Sequence, residues 1–369
     1  MRRKRIVVSI LSTVGIALLP TPYVPSVQAA GWAENFGKPA VFFCIVISLL
    51  LLASVEIALL AIWHWRSTKA VRWAEKALKH TQFYASARTV YFSVTPTFFR
   101  RWAGRSRACS FRDILTYSSN EDQRKREIAE IEATARLLQR DSAGYELWST
   151  SSGTWWVPAG ESGGLFVVLA EQKRGIYENG ENAVRAGDVV LDCGANVGCY
   201  TRHALSLGAS LVVAVEPAPD GLECLRRNLA NDLATGRVIL YPKGVWIRDD
   251  YLSLSGSGAS RRVSEDRSDD SEGLLGVPLT TVDKVVSDLN LTRVDFIKMD
   301  IEGAEVPALL GAQRTLCTYR PRLAIAGYHN RHDSEAIPSV VCKAWSGYQL
   351  QFGSFYSSGG VRPQAIFFR

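Results

Sequence analysis

The sequence lacks the cysteine spacing that marks a structural zinc site or a disulfide-stapled fold. Its seven cysteines contain no CxxC pair, and its five histidines show no ligand spacing. We therefore expect reduced thiols that mostly pack in a core, as in an intracellular compartment. A basic excess is also missing over most of the chain. The net charge of +7 lies within residues 1–80, and the remainder holds 33 residues of each sign. This balance argues against a nucleic-acid partner.

The basic residues accompany two apolar runs near the start of the chain. Residues 1–30 begin with MRRKR and end in small residues, a pattern typical of a signal peptide cleaved after Ala29 or of a short first span. Residues 39–64 include the apolar run Val41–Trp63, which as a helix is long enough to cross a bilayer. Five basic residues follow that run, whereas Lys38 alone lies between the two runs. The positive-inside rule therefore predicts a membrane anchor with the rest of the chain on the cytoplasmic side.

Residues 65–143 are predicted to form a basic, helical connector. Its last part, EDQRKREIAEIEATARLLQR at residues 121–140, has apolar residues at helical spacing and charges of alternating sign. We expect one continuous helix over that run.

Residues 144–369 show the alternation of a doubly wound α/β domain. Short strands are predicted at 145–150, 153–158 and 164–171, followed by strands and helices in turn. Such alternation predicts a mostly parallel sheet, and the final pair of apolar runs predicts an antiparallel C-terminal edge. In these sheets, ligands bind beyond the carboxyl ends of the strands.

The run VVLDCGANVGCYT, residues 189–201, ends a predicted strand on Asp192 and turns on glycine. Gly194 allows a tight turn, and Gly198 allows close packing of the next helix. The following predicted strand ends at Glu216, so two carboxylates are expected at neighbouring strand ends. One suits an amino acid moiety and the other a ribose, which together describe S-adenosylmethionine. The alternative is a dinucleotide site, although GANVG departs from GxGxxG.

The run IKMDIEGAE, residues 297–305, places three acids at the end of a third predicted strand. Like charges this close raise one another's pKa, as is common where a proton or a cation is handled. Glu302 and Glu305 can also be first-turn acids that the helix dipole favours. Asp300, at the strand tip, is the better candidate for a functional role. The acids do not complete a metal-ligand set, so no metal is predicted.

These runs, with AVEPAP, TTVDKVV, LLGAQRTL and RPRLAIAGYH, resemble the FkbM family of S-adenosylmethionine-dependent methyltransferases over about residues 175–369. The resemblance implies a class I, Rossmann-like fold and O-methylation of an acceptor such as a sugar or glycan hydroxyl. By position, it implies cofactor contacts from Asp192, Cys193, Gly194, Ala195, Asn196, Gly198, Tyr200, Glu216 and Pro217. It implies that Asp300 and its neighbours Glu302 and Glu305 face the methyl-transfer side.

The general base remains open between two residues. His329 ends a predicted strand and has a suitable intrinsic pKa, and Asp300 is the alternative. Two other functions also remain open for the whole chain: a membrane-tethered scaffold that has kept the fold without turnover, and a nicotinamide-dependent oxidoreductase.

Overall fold

The computed structural model describes residues 108–255, 262–264, 275–357 and 361–369. The predicted signal peptide or first span, the anchor at 39–64 and the connector up to residue 107 lie outside these ranges. Within the described ranges, no helix is both long and apolar enough to span a bilayer.

The described part begins with a long helix and a small antiparallel sheet. Helix α1 (Phe111–Thr134) starts at a capping box in which the Ser110 and Asp113 side chains each accept the other residue's backbone N–H. The expected helix over 121–140 is too long, because the chain leaves it at Thr134. The next residues pair instead as the exposed edge strand of a three-stranded sheet. Its strands are β1 (Arg136–Arg140), β2 (Tyr145–Thr150) and β3 (Gly153–Pro158).

The strand predicted at 164–171 is wrong, because this run lies inside helix α2 (Ser162–Lys173). A short apolar run does not distinguish a buried strand from a buried helix by its period. In the structure the buried positions follow helical spacing, at Leu165, Phe166, Leu169 and Ala170.

The central sheet has seven strands in the order β13-β16-β12-β11-β4-β5-β6. All run parallel except β16, which is antiparallel to both of its neighbours. The predicted antiparallel edge is therefore confirmed, with a small hairpin of β14 and β15 inserted between its two strands. The strands are β4 (Val189–Cys193), β5 (Leu211–Val215), β6 (Val238–Tyr241), β11 (Phe296–Met299), β12 (Arg322–Ala326), β13 (Leu350–Phe352), β14 (Phe355–Ser357), β15 (Val361–Pro363) and β16 (Ala365–Phe368).

Helices cover both faces of this sheet, because successive strand residues point to opposite sides. One core contains Val190, Val212 and Ala324, and the other contains Leu191, Val213 and Ile325. The covering helices are α3 (Cys199–Ser206), α4 (Pro219–Asn228), α5 (Ala230–Ala234), α6 (Val282–Asp288), α7 (Glu305–Leu310), α8 (Gln313–Tyr319) and α9 (Asp333–Ala344). The predicted doubly wound sheet is confirmed.

The polar stretch 249–276 contributes strands to a second sheet. That sheet has the order β7-β10-β8-β9 and lies between β6 and α6 in the chain. The alternation Tyr-Leu-Ser-Leu-Ser, residues 251–255, is typical of a strand with one apolar face. The strands are β7 (Gly244–Val245), β8 (Asp250–Ser255), β9 (Arg262–Ser264) and β10 (Leu275–Thr280).

Candidate active site

A cavity of about 410 Å³ opens at the carboxyl ends of the central strands. Strand β4 has β5 on one side and β11 on the other, so the chain order reverses at β4. In open α/β sheets such a reversal creates a crevice in which ligands bind. Residues of β3 and α2 close the opposite side of the cavity. A cavity is therefore present, in the described part of the chain, at the edge of the sheet where the sequence predicts a ligand site.

The glycine loop forms one wall of the cavity because its backbone passes very close to β11. Gly194 has a φ of 81°, and a Cβ there would lie 2.0 Å from the backbone oxygen of Asp300. No side chain fits at that distance, so the predicted tight turn requires glycine. Gly198 has a φ of 94° and starts α3 against Leu225 and Leu229. The close packing at Gly198 therefore involves the end of α4, whereas the sequence predicted close packing of α3, the next helix.

Glu216 follows β5 and faces the cavity. Its Oε2 accepts the N–H of Asn196 at 2.9 Å, and its Oε1 accepts the N–H of Ala218 at 2.8 Å. Burial raises the pKa of this carboxyl, although the two N–H groups act in the opposite direction. Each oxygen keeps one further lone pair, so Glu216 can accept hydrogen bonds from the hydroxyl groups of a ligand in the cavity.

Asp192 does not line the cavity, contrary to its predicted contact with the ligand. Its carboxylate is fully buried. Oδ2 accepts the hydroxyl of Thr201 at 2.7 Å, and Oδ1 lies 3.1 Å from Nζ of Lys298. A carboxylate that is buried and engaged in this way is held as part of the core. Asp192 therefore acts on the site through Lys298, which also donates to the carbonyl of Gly194 at 2.9 Å.

The other residues predicted from the resemblance divide into two groups. Cys193 is fully buried below the cavity, where burial and the Asp192 charge raise the pKa of its thiol to about 12. Gly198 and Glu305 also lie outside the cavity lining. The residues that do line it are Gly194, Ala195, Asn196, Tyr200, Glu216, Pro217, Asp300, Glu302 and His329.

His329, Asp300 and Glu302 form a second wall of the cavity, called the histidine wall, and Glu305 lies behind the imidazole. His329 follows β12, and its side chain is only 3% exposed. Its Nδ1 lies 2.9 Å from Oε1 of Glu305, which also accepts the N–H of Ile301 at 3.0 Å. Its Nε2 lies 3.5 Å from Oδ1 of Asp300 and 3.5 Å from Oε2 of Glu302. Three acids thus surround one imidazole.

These charges change what His329 can do as a base. Burial lowers the pKa of His329, but the hydrogen bond and charge of Glu305, together with Asp300 and Glu302, raise it to about 9. The imidazole then carries a proton at neutral pH and cannot accept another. The expectation that His329 is the general base does not fit this arrangement.

Lys298, Tyr177 and Glu171 are among the cavity residues that sequence reasoning missed. Lys298 had a signal, because a lysine within the otherwise apolar strand FIKM needs a buried partner. Tyr177 donates its hydroxyl to Oδ2 of Asp300 at 2.8 Å. Burial and the Asp300 charge raise the pKa of Glu171 to about 7. Neither Tyr177 nor Glu171 lies near the strand-end motifs in sequence, so the pattern of strand ends could not reveal them.

A comparison with protein families matches residues 192–346 to the family described as Methyltransferase FkbM domain. These residues form an FkbM methyltransferase domain. The match runs from the end of β4 through α9, and it includes Glu216, Asp300 and His329. The resemblance inferred from the sequence runs is confirmed. The described fold is accordingly a class I methyltransferase-like α/β fold with a mixed sheet.

Solved structures similar to this chain include other methyltransferases. The methyltransferase FkbM from Methylobacillus flagellatus KT is 19% identical with a TM-score of 0.38, and the alignment covers 58% of this chain and 56% of that protein. TYW2 from M. jannaschii, in complex with AdoMet, is 11% identical with a TM-score of 0.33, covering 63% and 88%. The ribosomal protein L11 methylase from Lactobacillus delbrueckii subsp. bulgaricus is 14% identical with a TM-score of 0.31, covering 54% and 76%. A comparison with curated proteins finds no match.

Proposed function

We propose that the FkbM domain transfers the methyl group of S-adenosylmethionine to a hydroxyl group of a small molecule or glycan. The observation that carries this proposal is Glu216, which lies at the end of β5 with both oxygens oriented by backbone N–H groups. A carboxylate held in this way suits the two adjacent hydroxyls of a ribose. The loop Gly194–Asn196 lines the same cavity, which has room for the rest of the nucleoside donor beside Glu216.

The donor's positively charged end suits the acidic part of the same cavity. The sulfonium and the ammonium group of S-adenosylmethionine are both cationic, and the carboxylates of Asp300, Glu302 and Glu171 line the cavity beyond the glycine loop. Opposite charges within a cavity that excludes water attract more strongly than in solution. When bound, the donor supplies an electrophilic methyl group for an in-line displacement.

The protein aligns the acceptor hydroxyl with that methyl group and removes its proton. Glu171 is the proposed general base, because a carboxyl with a pKa of about 7 exchanges a proton readily at neutral pH. Asp300 accepts a hydrogen bond from Tyr177 and is the proposed contact for the acceptor hydroxyl together with Glu302. His329 holds these two carboxylates in place.

The proposal also includes a membrane anchor at residues 39–64 and a cytoplasmic domain. The charge difference on the two sides of the run 41–63 supports it. An anchored enzyme would reach acceptors at the membrane surface, such as lipid-linked glycans. Separation of membranes from soluble proteins, with the full chain and a chain starting at residue 65, tests the anchor; the full chain should pellet and the shorter chain should not.

Calorimetry with the full chain in detergent tests the donor. We expect one S-adenosylmethionine to bind per chain, and methyl transfer from labelled donor to a glycan extract to follow. Binding of a nicotinamide dinucleotide instead would favour the oxidoreductase. Donor binding without transfer to any hydroxyl-bearing acceptor would favour the scaffold.

A further inference from the structure

We propose that Asp300, Glu302 and His329 form a binding site for a divalent transition-metal cation on the acceptor side of the cavity. The three side chains belong to one cluster in which Oδ1 of Asp300, Oε2 of Glu302 and Nε2 of His329 converge. One such atom from each residue can be chosen so that all three lie within 4.8 Å of one another. The site rests on this geometry alone; any catalytic role for the cation rests on the proposed function.

The unpartnered nitrogen of His329 is the first observation that points to a ligand. Its Nε2 is buried and has no hydrogen-bond partner among the described residues, although the side chain is only 3% exposed. The two facing carboxylate oxygens lie 3.5 Å away, which is longer than a charged hydrogen bond of about 2.7–2.9 Å. Donors that share one metal at about 2.0–2.2 Å are separated by distances of this order. The gap therefore fits a bridging cation.

The orientation of the imidazole is the second observation. Nδ1 of His329 lies 2.9 Å from the fully buried carboxylate of Glu305. An ionised carboxylate can only accept, so this contact keeps a proton on Nδ1. A cation that displaces the proton on Nε2 then meets the lone pair of that nitrogen. Metal-binding histidines usually have this arrangement, in which a carboxylate behind the ring fixes the tautomer. Glu305 would then be a positioning residue.

The two carboxylates are held in place by different means. Oδ2 of Asp300 accepts the Tyr177 hydroxyl at 2.8 Å, which turns the buried Oδ1 toward His329. Glu302 adopts a left-handed backbone with a φ of 56°, and Gly303 follows with a φ of 103°. This turn is supported by Asn330, whose side-chain amide donates to the carbonyl of Gly303 at 3.1 Å. It brings the Glu302 carboxylate over the imidazole at the edge of the cavity.

The donor set indicates the class of metal. Imidazole nitrogen suits Zn²⁺ and similar ions, whereas carboxylate oxygen suits Mn²⁺ and Mg²⁺. Two oxygens and one nitrogen therefore favour Mn²⁺ or Zn²⁺ over Ca²⁺, which prefers six to eight oxygens. Three protein donors also leave coordination positions open toward the cavity. If the proposed function holds, an acceptor hydroxyl can occupy one of these positions and lose its proton more easily.

Metal binding is tested without reference to turnover. The full chain, freed of any histidine tag and of metal, is titrated with Mn²⁺ by calorimetry and electron paramagnetic resonance, and then with Zn²⁺. We expect one site per chain. His329→Ala and Glu302→Gln should each weaken binding by at least about 10-fold, since even residues behind the ligands change affinity by 10- to 100-fold. Matched controls are His332→Ala and Glu335→Gln, an exposed histidine and acid nearby that should leave binding unchanged.

Several outcomes would overturn the site. It is wrong if neither ion binds, if His329→Ala leaves the affinity unchanged, or if the controls weaken binding equally. Glu302 lies at the edge of the cavity, so its substitution should remove a metal ligand without disturbing the fold. Circular dichroism checks that both variants are folded. S-adenosylmethionine binding is measured on the same samples. Donor binding without metal binding rejects only the metal site, and metal binding without donor binding rejects only the proposed function.

Discussion

The two walls of the cavity stabilise buried carboxylates in different ways. On the glycine-loop wall, Glu216 is held by backbone N–H groups of Asn196 and Ala218. On the histidine wall, Asp300, Glu302 and Glu305 surround one imidazole. Glu305 accepts the N–H of Ile301, but none of the described residues donates a hydrogen bond to Oδ1 of Asp300. The first arrangement depends on the local path of the chain, whereas the second depends on side chains brought together from β11 and β12. The backbone therefore holds the carboxylate of the first wall in place. In the second wall, the carboxylates depend on the positive charge of the imidazole.

Lys298 contacts Asp192 and the glycine loop, and its charge also interacts with Asp300 of the histidine wall. Its loss is therefore expected to have the largest effect. In Lys298→Met, the fully buried Asp192 loses its cation and Gly194 loses a hydrogen bond. Removing one partner of a buried ion pair costs about 3–5 kcal/mol, measurable by urea unfolding. The double variant Asp192→Asn with Lys298→Met should recover part of that loss.

The control for this prediction is Lys173→Met, which breaks the exposed pair with Glu130. Such pairs contribute about 0–1 kcal/mol. Equal losses in the two lysine variants would show that the buried pair of Lys298 and Asp192 stabilises the fold no more than an exposed pair does.

Gly194→Ala tests the rigidity of the glycine-loop wall. The added Cβ would meet the backbone oxygen of Asp300 at 2.0 Å, so the strand ends must separate. We expect a loss of about 3 kcal/mol in the free energy of unfolding, from overpacking together with the positive φ. Gly160→Ala is the matched control, because its φ is 84° and its Cβ would meet no atom within 4 Å. That control isolates the backbone cost, about 1–2 kcal/mol.

Glu171→Gln tests whether Glu171, on α2, is the general base. Only the ionised carboxylate accepts a proton, so the rate of methyl transfer should fall as the pH drops below about 7 in the native protein. The variant should lose about 100-fold in kcat together with this acidic limb. The pH profile of kcat is the measurement. Glu161→Gln, at the start of α2, should keep the limb; a native-like profile in Glu171→Gln would return the base role to Asp300.

Glu216→Gln is expected to have the smallest effect of the four. Glutamine keeps one acceptor oxygen, so one of the two backbone N–H contacts is lost along with the charge. We expect S-adenosylmethionine affinity to fall by about 10-fold, within the range for a hydrogen bond to a charged group. Calorimetry measures the loss, with Glu223→Gln as the control because that acid pairs with Arg227 on α4. Undiminished affinity would contradict a ribose contact.

The elements that sequence reasoning predicted correctly are determined by residues close to one another in the sequence. The order of strands and helices from β4 to α9 follows from alternating apolar runs, and Gly194 and Gly198 mark turns that only glycine allows. The misread elements lacked such a cause. Residues 136–140 carry a helical pattern but pair with β2, and residues 164–171 carry a strand-like run but lie in α2. In both cases neighbouring elements outweigh the local preference.

The sequence by itself determined the resemblance of residues 192–346 to the FkbM domain, the doubly wound sheet and the position of Glu216, because each depends on residues close together in the chain. Only the tertiary structure decided which acids reach the cavity. It buried Asp192 against Lys298, brought Tyr177 to Asp300 across 123 residues, and surrounded His329 with three carboxylates. The physical reason is that the charge environment of a side chain depends on every element packed around it, and this cannot be read from its sequence neighbours.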